Sequence, residues 1–417
     1  MFSNLKQLFN HSNKDLRKRI YFTLFCLAIF SLGSTITVEW ASIYTEELGF
    51  LEIFNLMSGG GLRSFSIFAL GITPYITAQI ITQLLQMDII PYFKELKEQG
   101  YTGKQKINKI TRYLGVLFAF VQGFVFTIVY SGIKDPMVII KTTVVLTAGT
   151  CLLLWIGDQI TKHGIGNGLS LLIMAGILQS MPQIFIKAFQ ALLGGGANLK
   201  GILLFSAFII IYILIIVGMV WIQLAERRVP IQYANRTNSA YGGRQNFLPV
   251  KINAAGVMPV IFASTLIMIP VTVVNLMKNQ KAIDFVNNYI VNTTLTGFLL
   301  YIGLIFFFGY FYTFLQMNPE ELSKNLNKSG AYIPGIRPGN DTIDYVSNII
   351  SKLTIVGSIF LIIIAGLPIV FSKFSGLPSE VTIGGTGLLI VVGVAIETYK
   401  QLESSLTSRK HRMGIKK

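Results

Sequence analysis

Two cysteines, Cys26 and Cys151, and three histidines, His11, His163 and His411, are the residues in this chain best suited to redox, metal or nucleophilic chemistry. Their spacing supports none of it. Each cysteine lies singly inside an apolar run and reads as a small buried hydrophobe, with no CxxC pair. Each histidine sits in a polar segment with no second ligand at metal spacing, so no metal site is expected. Ser170 opens an apolar run, but no other run carries a histidine to activate it. There is no HExxH motif, no P-loop and no aspartate pair within an apolar run. Neither enzymatic catalysis nor a cofactor is expected.

Two other residue sets carry more. Ile72, Ile76, Ile173, Ile177, Ile261 and Ile390 recur at helical spacing in apolar runs. Singly each reads as packing or lipid contact; together they suffice for an apolar constriction, which seals a passage by dewetting. Arg227, Arg228 and Arg337 stand in two long polar stretches, 223–253 and 317–346. Long loops in a compact protein are functional or disordered, so these read either as partner-docking loops or as merely solvated ones.

The elements that must position these residues are membrane spans. Of 417 residues, 52% are hydrophobic and 13% charged, against about 25% charged in soluble domains. A spanning helix needs about 20 mostly apolar residues. Ten blocks qualify: 20–38, 72–87, 113–130, 138–156, 169–193, 202–222, 254–274, 295–315, 349–370 and 383–396. The first block follows a basic stretch, 14–19, but lacks an A-x-A site, so it is expected to be a retained span rather than a signal peptide. Lys and Arg accumulate in cytoplasmic loops. With the N-terminus inside, 27 of the 35 basic residues fall on the inner side and 8 on the outer. Both termini are therefore expected in the cytoplasm, with 1–19 and 398–417 as inner segments. Most of the +16 net charge is what this topology demands, so the charge gives no argument for nucleic acid.

An ion-coupled carrier needs ionisable groups at mid-membrane. Glu39, Asp158 and Glu397 lie at span ends, and Lys141 is near enough to one to snorkel. A small-solute carrier built on backbone polar sites stays open as a second function class. The segment 39–71 is too polar and Gly-rich to span, yet too apolar for an exterior loop. Non-helical backbone at membrane depth survives only inside protein or beside water. Either this segment folds back into a water-filled cavity, with Gly59, Gly60 and Gly61 as its hinge, or it forms an interfacial amphipathic helix.

Five motifs resemble one family: SIFALGITPYITA at 66–78, GDQITKHGIGNGLS at 157–170, LPVKINAAGVMPVIFAS at 248–264, KSGAYIPGIRPG at 328–339 and GGTGLLIVV at 384–392. In this order they are similar to the SecY family of bacterial protein-conducting channels, over residues 15–405. The resemblance implies an all-α integral membrane fold of ten transmembrane helices. They form two pseudo-symmetric five-helix halves, 20–193 and 194–397, around an hourglass pore. It implies that the six isoleucines form the pore ring. The segment at about 52–66, with Phe54, Gly59, Gly60, Gly61 and Arg63, takes the place of the family's plug. Spans two and three face seven and eight as a lateral gate, with Thr77, Gln122 and Ser264 as polar candidates across it. Arg227, Arg228 and Arg337 match positions that dock the ribosome or the SecA ATPase, and arginine suits bidentate contacts to phosphate and carboxylate. SecE and SecG are implied as small membrane partners, with signal sequences and nascent polypeptide as the transported chains.

Three departures from the family pattern stand out. The outer segment after the first span is short, residues 101–106 read YTGKQK without the expected arginine pair, and Glu397 comes late in the tenth span. They leave open an accessory SecY-like channel for specialised substrates, whereas Arg227, Arg228 and Arg337 favour the housekeeping form.

Overall fold

The computed structural model describes residues 14–40, 52–86, 90–131, 135–194, 199–233, 246–277, 280–291, 294–377 and 379–414. The helices in the first part of the chain are α1 (Lys14–Thr35), α2 (Glu52–Met57), α3 (Thr73–Leu85), α4 (Pro91–Glu98), α5 (Tyr101–Tyr130), α6 (Pro136–His163), α7 (Gly168–Leu193) and α8 (Leu199–Leu224). Strands β1 (Glu226–Tyr233) and β2 (Asn246–Lys251) follow, then α9 (Met258–Met277), α10 (Gln280–Tyr289), α11 (Leu295–Gln316), α12 (Pro319–Lys328), β3 (Ala331–Tyr332), α13 (Asn340–Ser375) and α14 (Ser379–Gly414). Each of the ten apolar blocks overlaps a helix. Among the described residues, six helical runs are long and apolar enough to cross a membrane: those of α5, α6, α7, α8 and α13, and the run Leu295–Lys328 that contains α11.

Local chemistry fixes where these helices begin. Asp135 accepts from the Met137 backbone N–H at 3.0 Å, with Pro136 in the first turn. Asn167 caps α7 through the Leu169 N–H, Thr294 caps α11 through Gly297, and Asn318 caps α12 through Glu320. Such side chains satisfy amides that the first helical turn leaves unpaired. Inside the helices, hydroxyls donate back to the preceding turn: Thr143 to the Ile139 carbonyl at 2.8 Å and Thr354 to Ile350 at 2.7 Å. This is how polar residues persist in segments that meet no water.

The chain divides into two compact units. Unit 1 comprises Met1–Phe205, Thr272–Ile283 and Leu377–Lys417. In it α5 packs on α3, α4 and α6, α7 packs on α1, α6 and α14, and the short α2 rests on both α7 and α14. An ion pair from Arg112 to Asp158, at 2.7 Å, ties α5 to α6. Unit 2 comprises Ser206–Val271 and Asp284–Gly376. There α11 and α12 pack on α13. Phe262 of α9 meets Phe308 and Tyr312 of α11 edge-on, each at 5.7 Å between ring centroids. Unit 2 also carries a three-stranded antiparallel sheet in the order β2-β1-β3. The sheet has its own core, in which Val229, Val250 and Ile333 bury against Val346, Ile349 and Ile350 at the start of α13.

Candidate functional site

The plug candidate is a short helix followed by a chain of turns. Asn55 accepts the Arg63 N–H on its Oδ1 at 3.0 Å, and its carbonyl accepts the Gly60 N–H at 2.8 Å. Ser58 Oγ accepts from the Leu62 N–H at 3.1 Å. Gly59 and Gly60 adopt φ of +71° and +82°, a region closed to most side-chain-bearing residues. A bridge between Thr37 and Ser66 interrupts the turns, where the Val38 N–H donates to the Phe65 carbonyl at 2.9 Å, and they resume as far as Ile72. Phe65 is fully buried and stacks on Phe126 at 5.5 Å. Residues 55–58 and 65–66 are buried within unit 1. Phe54 falls in α2; residues 41–51 lie outside the described residues.

What holds this segment is the absence of a side chain on α7. A Cβ built on Gly176 would lie 2.3 Å from the Met57 carbonyl oxygen and 3.0 Å from the Gly59 nitrogen. Backbone therefore packs directly on backbone, one residue before Ile177 and three after Ile173. A Cβ on Gly71 would sit 3.4 Å from the Ser58 Cβ, and Gly71 leads straight into Ile72. A third glycine closes the set: a Cβ on Gly387 of α14 would meet Ile177 Cγ2 at 3.0 Å and the plug's Leu56 at 3.9 Å. Gly384 faces Ile184, and Gly166 faces Thr398, so α14 runs antiparallel to α7. That register puts Ile390 level with the α7 turn that carries Ile173.

Within unit 1, Ile177 meets the Gly387 position that also faces Leu56 of the plug candidate. Ile173 stands one turn earlier on α7, with Ile390 nearly level with it on α14, and Ile72 follows the Gly71 that packs against Ser58, with Ile76 one helical turn on. All five are buried. Ile261 is also buried but belongs to unit 2. The gate candidates divide in the same way. Thr77 on α3 is buried and donates to the Thr73 carbonyl at 3.2 Å. Gln122 lies half-buried on α5, beside Gly123, at which a Cβ would meet Leu70 at 3.4 Å. Ser264 on α9 is buried and donates to the Val260 carbonyl at 2.9 Å, within unit 2.

The arginine loops are one object rather than two. β1 carries Arg227 and Arg228, and β3 comes from the stretch that carries Arg337. Gln232 pairs with Tyr332 across β1 and β3, where the Tyr332 hydroxyl donates to Gln232 Oε1 at 3.0 Å. All three arginines are exposed. Arg228 is engaged, 3.2 Å from Glu226 Oε1 and 4.7 Å above the Phe247 ring. Arg227 makes no ion pair among the described residues. Arg337 contributes its carbonyl, which accepts the Thr342 hydroxyl at 2.8 Å at the start of α13, and its side chain reaches into solvent. Residues 234–245, the tip of the first loop, lie outside the described residues.

Sequence reasoning misses Gly176, Gln179 and Ser34. Gln179 Nε2 donates to Ser34 Oγ at 3.0 Å, and a Cβ on Gly59 would lie 2.8 Å from Gln179 Oε1. The available signal was an amide two residues past Ile177 in an apolar run.

Comparison with known proteins gives a consistent picture. The family model described as SecY matches residues 66–399. A protein translocase subunit SecY of Bacillus subtilis is 43% identical over 418 residues, covering 96% of this chain and 97% of that protein. A solved structure titled as that of a protein conducting channel superposes with a TM-score of 0.70 at 21% identity, covering 95% of this chain and 94% of that one. A second, at TM-score 0.65, 21% identity and the same coverage, is described as showing that the plug domain of SecY stabilises the closed state and maintains a membrane seal. A third, Sec61 in a canine ribosome-channel complex, has a TM-score of 0.65 at 20% identity, again with that coverage.

Proposed function

The chain belongs to the SecY family and is a pore-forming subunit of a Sec translocase, and from that premise we propose that it passes unfolded secretory polypeptides across the bacterial cytoplasmic membrane and releases membrane-protein helices sideways into lipid. The observation that carries this reading is the close seat of the Met57–Gly59 backbone on Gly176 of α7, next to Ile177, which in turn meets Gly387 of α14. A closed turn of backbone packed on a glycine of a neighbouring helix suits a seal that must open without breaking a covalent bond.

In this reading ten spans form two halves, 20–193 and 194–397, with both termini cytoplasmic. Ile76 and Ile261 complete the ring with the other four, and the family motif carries Ile261 into it. An apolar ring closes around a polypeptide of any sequence because it asks for no specific hydrogen bond, and it excludes hydrated ions by dewetting. Residues 52–66, including Arg63, block the passage at rest. Thr77, Gln122 and Ser264 line the route to lipid. A hydrophobic helix leaves through it because burying Leu or Ile in the bilayer centre is favourable by about 0.3–0.6 kcal/mol per residue.

The channel supplies no chemistry, so a partner provides the energy. SecA and the ribosome dock on the sheet bearing Arg227, Arg228 and Arg337, and SecE and SecG are its small membrane subunits. The test is an arrested, partly translocated preprotein, driven by SecA and ATP, in variants with single cysteines at the six isoleucines. Cross-links are expected from all six, and none from cysteines on the lipid-facing side of α8. Substrate counterflow in liposomes without SecA, together with failure to move a preprotein, would return the chain to the carrier class.

A further inference from the structure

We propose that Gln179 is a positioning residue for the closed channel: an amide latch that joins α1 to the hinge of the plug and sets how readily the plug leaves its seat. The inference rests on the plug reading above and adds to it a specific polar determinant in an otherwise apolar seat.

The argument starts from solvation. Gln179 lies half-buried in the apolar α7, between the buried Ile177 and Met181 in sequence, where an amide left short of partners carries part of the cost of desolvation. Its side chain is held by one residue of α1: Nε2 donates to Ser34 Oγ at 3.0 Å, and the Ser34 hydroxyl lies 3.2 Å from Oε1. Ser34 is itself buried and also donates to the Ser31 carbonyl at 2.8 Å. The amide is thereby fixed in orientation by a helix that does not belong to the plug.

That orientation aims Oε1 at the hinge. A Cβ on Gly59 would come within 2.8 Å of it, so a side chain there would have to push the amide out of the orientation that Ser34 gives it. One turn earlier on the same face, Gly176 receives the Met57 carbonyl. The hinge therefore rests on α7 at two points, one formed by a missing side chain and one by a polar side chain that Ser34 holds in place. A leucine at 179 would keep the volume and remove the hydrogen bonds. The long side chain would be free to change rotamer, and the seat would lose the rigid half of its floor.

The experiment measures the closed state directly. The translocase complex carrying Gln179→Leu, Ser34→Ala or both is reconstituted in planar bilayers, and its resting ion conductance is recorded without substrate. Export of a reporter with a weakened signal sequence is measured in cells with the same variants. Losing a net hydrogen bond of ordinary strength shifts an equilibrium by about two- to tenfold. Each single variant is expected to raise the resting conductance and the export of the defective reporter by about that factor. The double variant is expected to add nothing further, because both changes remove the same latch. A variant with residues 55–65 deleted serves as the reference. If the deletion raises conductance and neither single variant does, the latch is overturned and the plug stands. Additive single effects likewise overturn the latch, since they point to two separate packing losses. If the deletion itself leaves conductance unchanged, the plug reading fails and the latch with it. Ser34→Ala reaches the same bond from a small, conservative change, so poor insertion of Gln179→Leu leaves the proposal open to refutation.

Discussion

The plug seat in unit 1 and the arginine platform in unit 2 are built by opposite means. The seat is made by leaving side chains out: at Gly176 a methyl group would collide with the Met57 carbonyl, and at Gly387 it would press tightly on Ile177. The platform is made by placing side chains outward: a small apolar core under β1, β2 and β3 holds three arginines in solvent. One region is closely packed and largely buried, the other exposed and positively charged. They should therefore fail differently. The seat should fail by small increases in volume, the platform by changes of charge that leave its fold intact.

The largest effect belongs to the seat. Gly176→Ala puts a methyl group 2.3 Å from a backbone oxygen, where neither partner has a flexible end to yield. Overpacking of this kind costs about 1–3 kcal/mol. The plug should leave its seat more often by an order of magnitude or more, read as resting conductance and as thiol labelling of a cysteine replacing Arg63. Gly60→Ala is the internal control. A Cβ there would have open space, and only the φ of +82° is unfavourable, at about 1–2 kcal/mol. It should give the smaller rise. The reverse order would show that backbone conformation rather than close approach holds the plug.

Arg337→Glu tests the platform. The side chain points into solvent, and the fold uses only its carbonyl, so the protein should insert normally. ATP-driven translocation with SecA should fall about tenfold or more, since reversing a docking charge both removes an attraction and adds a repulsion. Unchanged translocation would take the partner-docking role away from this residue.

The two regions also differed in how legible they were. Hydropathy marked ten blocks that each overlap a helix, because a span must be apolar over most of its length. But six runs among the described residues reach spanning length and apolarity, and the short α2, α4, α10 and α12 fall outside the blocks. Ile173 and Ile177 were visible as a helical pair, and family resemblance gave them a role. Gly176 between them was not, because a glycine in a helix announces nothing until the backbone that approaches it is known. Gln179 was hidden for the same reason: its partner, Ser34, lies 145 positions away. The platform was misjudged in a different way. Its two polar stretches read as loops because β1 and β2 are short and mostly exposed. Yet Val229 with Ile231, and Leu248 with Val250, carry the alternation of half-buried strands. Charge dominated the composition and masked a period-two signal only a few residues long. A sheet assembled from two stretches separated by α9 and α11 cannot be read from either one alone.

Arg227 and Arg228 give the smallest and most discriminating effect, because adjacent residues of one type differ in what they touch. Arg228 spans Glu226 and the Phe247 ring, and so joins β1 to β2 across the hairpin. Exposed contacts of these kinds contribute about 0.5–1 kcal/mol each. Arg227 is exposed and has no such role among the described residues. Arg228→Ala should therefore lower the thermal midpoint of the purified protein by a few degrees at most, and Arg227→Ala should leave it in place. Binding to ribosomes, titrated against salt, should weaken for both, and each lost phosphate contact should flatten the salt dependence. Equal shifts in stability for the two variants would mean that the Glu226 and Phe247 contacts add nothing. The platform would then be held by its buried valines and isoleucines alone, as the seat is held by its glycines.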